Sequence, residues 1–271
     1  MTTRRLLSVS GLVVAAALTL HASGAAQRRG FRGPVDVKVD TSEFSQYNTR
    51  YDGRFTFVRF RFTPAQYGYG GGGGFFGGID YKWDHDYPRA DQHFSKLLTE
   101  LTSIIGRDDG GNILGADDPE LFKYPVAYVS EPGFWTVTPK EAENLRAYLK
   151  KGGFMILDDF AGGYQLAGAE QALRQILPDM RLIRLDASHP IFHSFFEIDT
   201  LNFMHPYYNV PSAFLGIFED NDPEKRLMVI LDYNNDIGES WEWSDTGFIP
   251  IDLTNTAYKL GVNYMVYALT H

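Results

Sequence analysis

The fold is decided by residues 138–159, which read TPKEAENLRAYLKKGGFMILDD. The first four residues, Thr138–Glu141, have the spacing of a helix-capping box with a proline in the first helical turn. Apolar residues then recur at helical spacing until Gly152–Gly153 end the helix. Phe154–Leu157 follow as a continuous apolar strand, which is typical of a sheet covered by helices on both faces. The predicted strand leads directly into the carboxylates of Asp158–Asp159.

Strands and helices alternate on both sides of this unit. The alternation predicts an α/β domain with a mostly parallel sheet and helices on both faces. The predicted strands are Phe55–Phe62, Val126–Val129, Met180–Leu185, Phe214–Glu219 and Arg226–Tyr233. Three further helices are predicted. One begins at Pro88, one ends before Pro178, and one runs from Asn255 to Leu269.

The composition excludes several classes of function. The chain has 271 residues and no cysteine, which rules out disulfides, thiolate metal sites and a cysteine nucleophile. It has 25 Lys and Arg against 34 Asp and Glu, a formal net charge of -9, so nucleic acid is not an expected partner. Neither a serine nucleophile elbow nor a dinucleotide or His-Glu-x-x-His motif is present, so no motif in the sequence identifies a cofactor or a metal site.

The N-terminus has the pattern of an export signal. Arg4–Arg5 precede the apolar run Leu6–Leu20, and small residues follow it. We expect a signal peptide at 1–26, an N-terminal arm at 27–53 and one domain at 54–271. The predicted location is periplasmic or otherwise extracytoplasmic, with no membrane span after cleavage. An uncleaved membrane anchor is the alternative.

Several separated motifs resemble the bacterial domain-of-unknown-function family 4159. The match covers roughly residues 54–270, and it implies a fold more than an activity. The motifs are Phe57-Val-Arg59, Trp83 with Asp86-Tyr-Pro88 and Ala90-Asp91, Leu121–Pro125, Leu149–Phe154 through Asp159, His189–Phe192 and Lys259–Asn263.

The segment Leu121–Asp159 is also similar to class I glutamine amidotransferase-like domains. The resemblance implies a flavodoxin-like or amidotransferase-like three-layer sandwich. Amidotransferases carry a catalytic cysteine at the turn after the second strand, whereas Leu157–Gly162 reads LDDFAG here. Glutamine hydrolysis through a thioester is therefore excluded.

Asp158 and Asp159 are the leading site candidates. Ligands bind beyond the carboxyl ends of strands in open α/β sheets, where these acids would serve as a base, a metal ligand or a hydrogen-bond acceptor. The alternative is a carboxylate that stabilises the start of a helix. His189 follows another predicted strand and would pair with one of them, unless it is a turn histidine bonded to backbone.

Other candidates have ordinary structural alternatives. Trp83, His85 and Asp86 precede a helix that Asp86 would otherwise cap. Asp232 and Asn234 belong to an Asp- and Asn-rich turn that could line the same crevice. Trp241 shares a face with Trp243 if the chain is extended, and would stack on a sugar or pack in the core.

Two functions follow from these patterns. The first is an exported, non-catalytic binding or interaction domain on an amidotransferase-like scaffold, with a cell-envelope protein or glycan as partner. The alternative is an extracytoplasmic hydrolase, metal-assisted or not, that uses Asp158 or Asp159 with His189.

Overall fold

The computed structural model describes residues 44, 46, 48–65, 68–69, 79–107 and 110–271, all within one compact unit, Val39–His271. The predicted signal peptide at 1–26 lies outside the described residues, as does most of the predicted arm at 27–53.

A seven-stranded sheet forms the centre of the structure. The strands are β1 (Val58–Arg61), β2 (Asn112–Gly115), β3 (Val126–Ser130), β4 (Phe154–Phe160), β5 (Ile183–Arg184), β6 (Ala213–Phe218) and β7 (Leu227–Tyr233). Their order in the sheet is β2-β1-β3-β4-β7-β6-β5. The first five of these strands run parallel, and β6 and β5 each pair antiparallel with their preceding neighbour. Two small ribbons pair Thr63–Pro64 with Trp135–Thr136, and Gly68–Tyr69 with Ile79–Asp80.

Helices cover both faces of this sheet, which confirms the predicted α/β class. They are α1 (Arg89–Leu101), α2 (Pro139–Lys150), α3 (Gly162–Ile176), α4 (Ile237–Glu242) and α5 (Ile251–Thr270). Helices α2 and α3 share one apolar core with Leu157, while α1, α4 and α5 share the other with Ile156. Short 3-10 turns lie at Pro119–Lys123, Pro132–Phe134, Pro190–Phe192 and Glu219–Asn221.

The predicted capping box begins α2. The hydroxyl of Thr138 accepts a hydrogen bond from the Glu141 amide at 3.3 Å, and the Glu141 carboxylate accepts one from the Thr138 amide at 2.7 Å. Leu145 and Leu149 are fully buried on the sheet side. Each contributes about 2 kcal/mol by leaving water.

Strand β4 is longer than predicted. It does not end at Leu157 but continues through both aspartates to Phe160, because Ser130 pairs with Asp158 and Tyr233 pairs with Phe160. The burial of the Phe160 ring favours this extension. Asp158 and Asp159 therefore belong to the end of strand β4 and not to a loop.

The strand order predicts a crevice at the carboxyl ends of the parallel strands. From β1 the chain crosses through α1 to β2 on one side, and all later strands lie on the other side. In such doubly wound sheets ligands bind at the carboxyl ends of the strands near this reversal. Among the described residues, no helix has the length and apolarity needed to cross a membrane.

Candidate functional site

Polar residues meet at the carboxyl ends of β3, β4 and β7. Ser130 at the end of β3 lies beside Asp158 of β4. Glu131 follows directly after β3, and Asn234 follows directly after β7. Asp159 lies on β4, the strand between β3 and β7. Three neighbouring strands therefore each place a polar side chain at or just after their carboxyl ends.

A crevice of about 460 Å³ opens at this edge. Its volume falls in the range of small-molecule sites. Within the described part of the chain, no lysine or arginine lines it. The residues that do are Glu131, Asp159, Phe160, Ala161, Gly162, Gln165, His205, Tyr208, Val210, Tyr233 and Asn234.

Left-handed backbone conformations concentrate around this crevice. Five of the eight described non-glycine residues with positive φ belong to the site, at φ values from 46° to 71°. Such conformations cost on the order of 1 kcal/mol each and cluster at functional sites. The five are Lys82, Asp86, Glu131, Asp159 and Asn234.

Asp158 lies beneath the crevice and anchors α4. Its carboxylate accepts hydrogen bonds from the Tyr128 hydroxyl at 2.7 Å and from the amides of Ile237 at 3.0 Å and Gly238 at 2.9 Å. Burial raises its pKa to about 6, although the Tyr128 hydroxyl and the amides oppose this. Because Asp158 has no exposed surface, it cannot contact a ligand in the crevice.

Asp159 reaches the crevice and contacts a histidine. Its side chain is 18% exposed, and Oδ2 lies 3.6 Å from His85 Nδ1. The Ser130 hydroxyl donates to the same oxygen at 3.3 Å. Asp159 is thus the aspartate of the pair that can meet a ligand.

His85 sits among three carboxylates. Its Nε2 lies 3.1 Å from Asp80 Oδ1 and 3.8 Å from Glu131 Oε2. Burial lowers the pKa of His85, but hydrogen bonds to Asp159 and Asp80 and the Glu131 charge outweigh it and raise the pKa to about 11. At neutral pH His85 is therefore a cation and not a general base.

Lys82 supplies a second cation to the same group. Its Nζ lies 2.6 Å from Asp80 and 3.2 Å from Glu131. Burial and the Asp159 charge raise the pKa of Glu131 to about 7, against the opposing effect of His85 and Lys82. A substantial fraction of Glu131 is therefore protonated near neutral pH.

A buried arginine fixes the loop that carries these groups. Arg59 is fully buried on β1, and its Nε donates to Asp91 at 3.1 Å. Its Nη1 donates to the carbonyls of Trp83 at 3.0 Å and His85 at 2.6 Å. Sequence reasoning missed this role, although an arginine in an otherwise apolar strand signals a buried partner.

A second acidic group lies beside the first. Asp86, Asp159 and Asp236 each place an oxygen within 4.8 Å of the others. Burial, then the Asp159 charge, raise the pKa values of Asp86 and Asp236 well above the usual range. Asp236 was missed as a site residue, although it belongs to the Asp- and Asn-rich turn predicted to line the crevice.

The structure does not bring His189 to these acids. After β5 the chain turns back at Asp186, and the His189 ring packs against Phe218 and Tyr267 at 5.6 and 5.9 Å between centroids. Phe218 ends β6, at the amino end of the parallel strands. The predicted pairing with Asp158 or Asp159 is corrected: His189 accepts a hydrogen bond from the Ile191 amide as a turn histidine.

Three further candidates lie in the interior. Trp83 is 1% exposed, and Trp241 and Asp232 are fully buried. Trp241 packs on Phe94 at 4.4 Å because the segment is helix α4 and not an extended chain. Asp232 accepts a hydrogen bond from the Tyr264 hydroxyl at 2.8 Å. None of the three has surface to offer a ligand, which corrects their prediction as ligand-binding residues.

Asn234 and His205 do line the crevice. Asn234 Oδ1 accepts from the Gly162 amide at 3.0 Å, and its Nδ2 donates to the Pro211 carbonyl at 3.0 Å. The His205 ring accepts from the Tyr207 amide at 3.1 Å and stacks near Tyr208 at 4.4 Å. The crevice therefore has a hydrogen-bonded wall and an aromatic rim facing the two carboxylates.

A search of curated proteins finds no match. A family model described as a domain of unknown function, DUF4159, matches residues 65–269, and the chain belongs to this family.

Proposed function

We propose that the chain is an exported binding domain that takes a cell-envelope glycan in the crevice. The composition of the crevice carries this proposal. Carboxylates at Glu131 and Asp159 and amides at Gln165 and Asn234 are partners for hydroxyl groups. Tyr208 is 66% exposed at the rim and offers a face on which a sugar ring can stack.

The crevice is also supported from behind, which favours binding. The bonds of Asn234 tie the start of α3 to the Pro211 segment. His205 accepts from the amides of Tyr207 and Tyr208, so the aromatic rim rests on a buried ring. A preformed site loses less conformational entropy when a ligand binds.

Removal of the exposed ring tests the glycan proposal. Titration calorimetry with soluble cell-envelope saccharides should show saturable binding by the wild type. Tyr208→Ala should weaken it about fivefold or more, since stacking on an aromatic ring contributes about 1 kcal/mol or more. Tyr51→Ala removes another half-exposed tyrosine, near the amino end of β2, and should leave affinity unchanged. Equal affinity of wild type and Tyr208→Ala would contradict the proposal.

Export is the second part of the proposal, and the pattern of Arg4–Arg5 followed by Leu6–Leu20 supports it. When bacteria express the full-length gene, the protein should appear in the extracytoplasmic fraction. Its mass should be that of a chain without the predicted signal peptide at 1–26. Retention of the whole chain in the cytoplasmic fraction would contradict it.

A second candidate is hydrolysis of the bound glycan. Glu131, with its pKa raised to about 7, and Asp159 flank one crevice. One protonated acid with one carboxylate is the arrangement of glycoside hydrolysis, so Glu131 takes the place predicted for His189. Release of reducing sugar by the wild type, lost in Glu131→Gln and kept in the exposed control Glu143→Gln, would favour the enzyme over the binding domain.

A further inference from the structure

Three carboxylates meet behind the crevice, and one of them, Asp159, has a cation beside it, because His85 Nδ1 lies 3.6 Å from Asp159 Oδ2. Asp86, Asp159 and Asp236 each place one oxygen within 4.8 Å of the others. Asp86 and Asp236 are each only 7% exposed. Buried carboxylates at such short separations are costly unless a counter-charge or hydrogen bonds stabilise them.

The neighbouring bases are engaged elsewhere. Arg59 forms its ion pair with Asp91, and Lys82 lies between Asp80 and Glu131. Within the described ranges, no lysine, arginine or histidine nitrogen comes within 4.0 Å of a carboxylate oxygen of Asp86 or Asp236. Among the described residues, Asp86 and Asp236 therefore have no direct contact with a cation, whereas Asp159 has one with His85.

An unpartnered oxygen points to a ligand. Asp86 Oδ2 is buried and has no hydrogen-bond partner among the described residues. It lies against the backbone of Gly238, where an added Cβ would approach it to 2.6 Å. A side chain at position 238 would therefore collide with this bare carboxylate oxygen.

The three side chains are held in place. Asp86 and Asp159 have left-handed backbones, at φ 62° and 58°. Asp236 uses Oδ1 to accept the Glu239 amide at 2.9 Å at the start of α4, and Oδ2 stays for a ligand. Sites fixed in this way bind an ion without a large rearrangement.

We propose that Asp86, Asp159 and Asp236 bind one hard divalent cation, Mg²⁺, Mn²⁺ or Ca²⁺. A set of carboxylate oxygens without histidine or cysteine is the ligand set typical of these hard ions. Two oxygens that ligate one such ion at about 2.4 Å lie no more than about 4.8 Å apart, and the three oxygens meet this limit. Because Asp159 also lines the crevice, the ion would lie next to the space that the crevice offers a ligand. The cation site goes beyond the glycan proposal and holds whether or not the crevice takes a glycan.

Two neighbouring acidic groups are less suited to this ion. The group of Asp80, His85 and Glu131 already holds Lys82. The group of Asp86, Glu239 and Glu242 shares Asp86 with the proposed site. Glu239 accepts a hydrogen bond from the Tyr207 hydroxyl, which occupies one of its oxygens. Glu242 belongs only to this second group. Replacing it therefore distinguishes binding by this group from binding by the proposed site.

The test is titration calorimetry on the chain after dialysis against EDTA, with MnCl₂, MgCl₂, CaCl₂ and ZnCl₂. The wild type should bind one Mn²⁺, Mg²⁺ or Ca²⁺ with a dissociation constant of roughly 1 mM or tighter. Asp236→Asn keeps the helix-capping oxygen, and it and Asp159→Asn should each weaken binding about tenfold or more. Glu242→Gln should change it less than about twofold.

Thermal unfolding in EDTA shows which variants are folded. Should Asp236→Asn fail to fold, Asp159→Asn alone decides. No saturable binding by the wild type would overturn the cation site and leave the glycan proposal standing. Loss of binding in Glu242→Gln with full binding in Asp236→Asn would overturn the assignment of the ligands. Loss of glycan binding by Tyr208→Ala with unchanged cation binding separates the two proposals.

Discussion

At the scale of single residues, the adjacent aspartates of β4 have opposite roles. Asp158 faces inward and accepts three hydrogen bonds, from Tyr128, Ile237 and Gly238. Asp159 has a left-handed backbone and faces the crevice. The pairing of β4 with β7 shifts its register at these residues, and this irregularity accompanies the separation of the two carboxylates between the interior and the ligand side.

Replacement of Asp158 should therefore destabilise the fold. Asp158→Ala leaves two amides and a hydroxyl buried without an acceptor, and each unpartnered group costs about 1–3 kcal/mol. We expect the free energy of unfolding in urea to fall by roughly 3 kcal/mol or more. Asp159→Asn, which keeps its volume at a partly exposed position, should lower it by less than about 1 kcal/mol. Equal effects of both variants would contradict the division of roles.

Glu131 gives the structure a pH dependence with a defined sign. Its pKa is raised to about 7 from 4.5, so the folded state binds more protons than the unfolded state between these values. The contribution to stability is complete below about pH 4.5 and is lost as the pH rises through about 7.

As the pH is raised from 5 to 8 in EDTA, the free energy of unfolding of the wild type should fall relative to that of Glu131→Gln. The expected difference is on the order of 1–3 kcal/mol. Thermal or urea unfolding of both proteins at the two pH values measures this. A gap that stays constant with pH would show that Glu131 titrates normally.

At the scale of elements, the short helix α4 closes the floor of the site. Its six residues begin at the Asp236 cap, and its first amides rest on Asp158. The sequence predicts a turn here, because six residues show too little periodicity to reveal a helix. Its position depends on Gly238, where a Cβ would lie 2.5 Å from the Tyr128 hydroxyl.

Two glycine substitutions should therefore act in opposite directions. Gly238→Ala forces α4 away from Tyr128 and Asp86, and should lower the free energy of unfolding by about 1–3 kcal/mol. Gly163→Ala lies in helix α3 with nothing within 4 Å of the added Cβ, and should raise it by about 0.5–1 kcal/mol. Urea unfolding of both variants tests the contrast, and a stable Gly238→Ala would mean that α4 does not pack as described.

At the scale of the whole molecule, local sequence signals predict the scaffold better than the site. The capping box at Thr138 and the apolar run before Asp158 predict α2 and β4 because both signals lie within one turn or one strand. The edge strand Asn112–Gly115 is missed, since a short run beside glycines resembles a loop.

The site itself depends on contacts between distant parts of the chain. The amides that hold Asp158 come from about 80 residues later, and no pattern in the sequence records that approach. The sequence places His189 after a predicted strand and His85 before a predicted helix, yet only the fold decides which of them meets the acids. Distant residues meet in this site because of the order of the strands in the sheet. A single sequence does not determine that order.

A crystal of the chain grown or soaked with Mn²⁺ tests the central claim most directly. The account predicts an anomalous difference peak between Asp86, Asp159 and Asp236, behind the crevice. A crystal with no such peak, or with its peak at the separate acidic group of His193, Glu197 and Asp199, would contradict it.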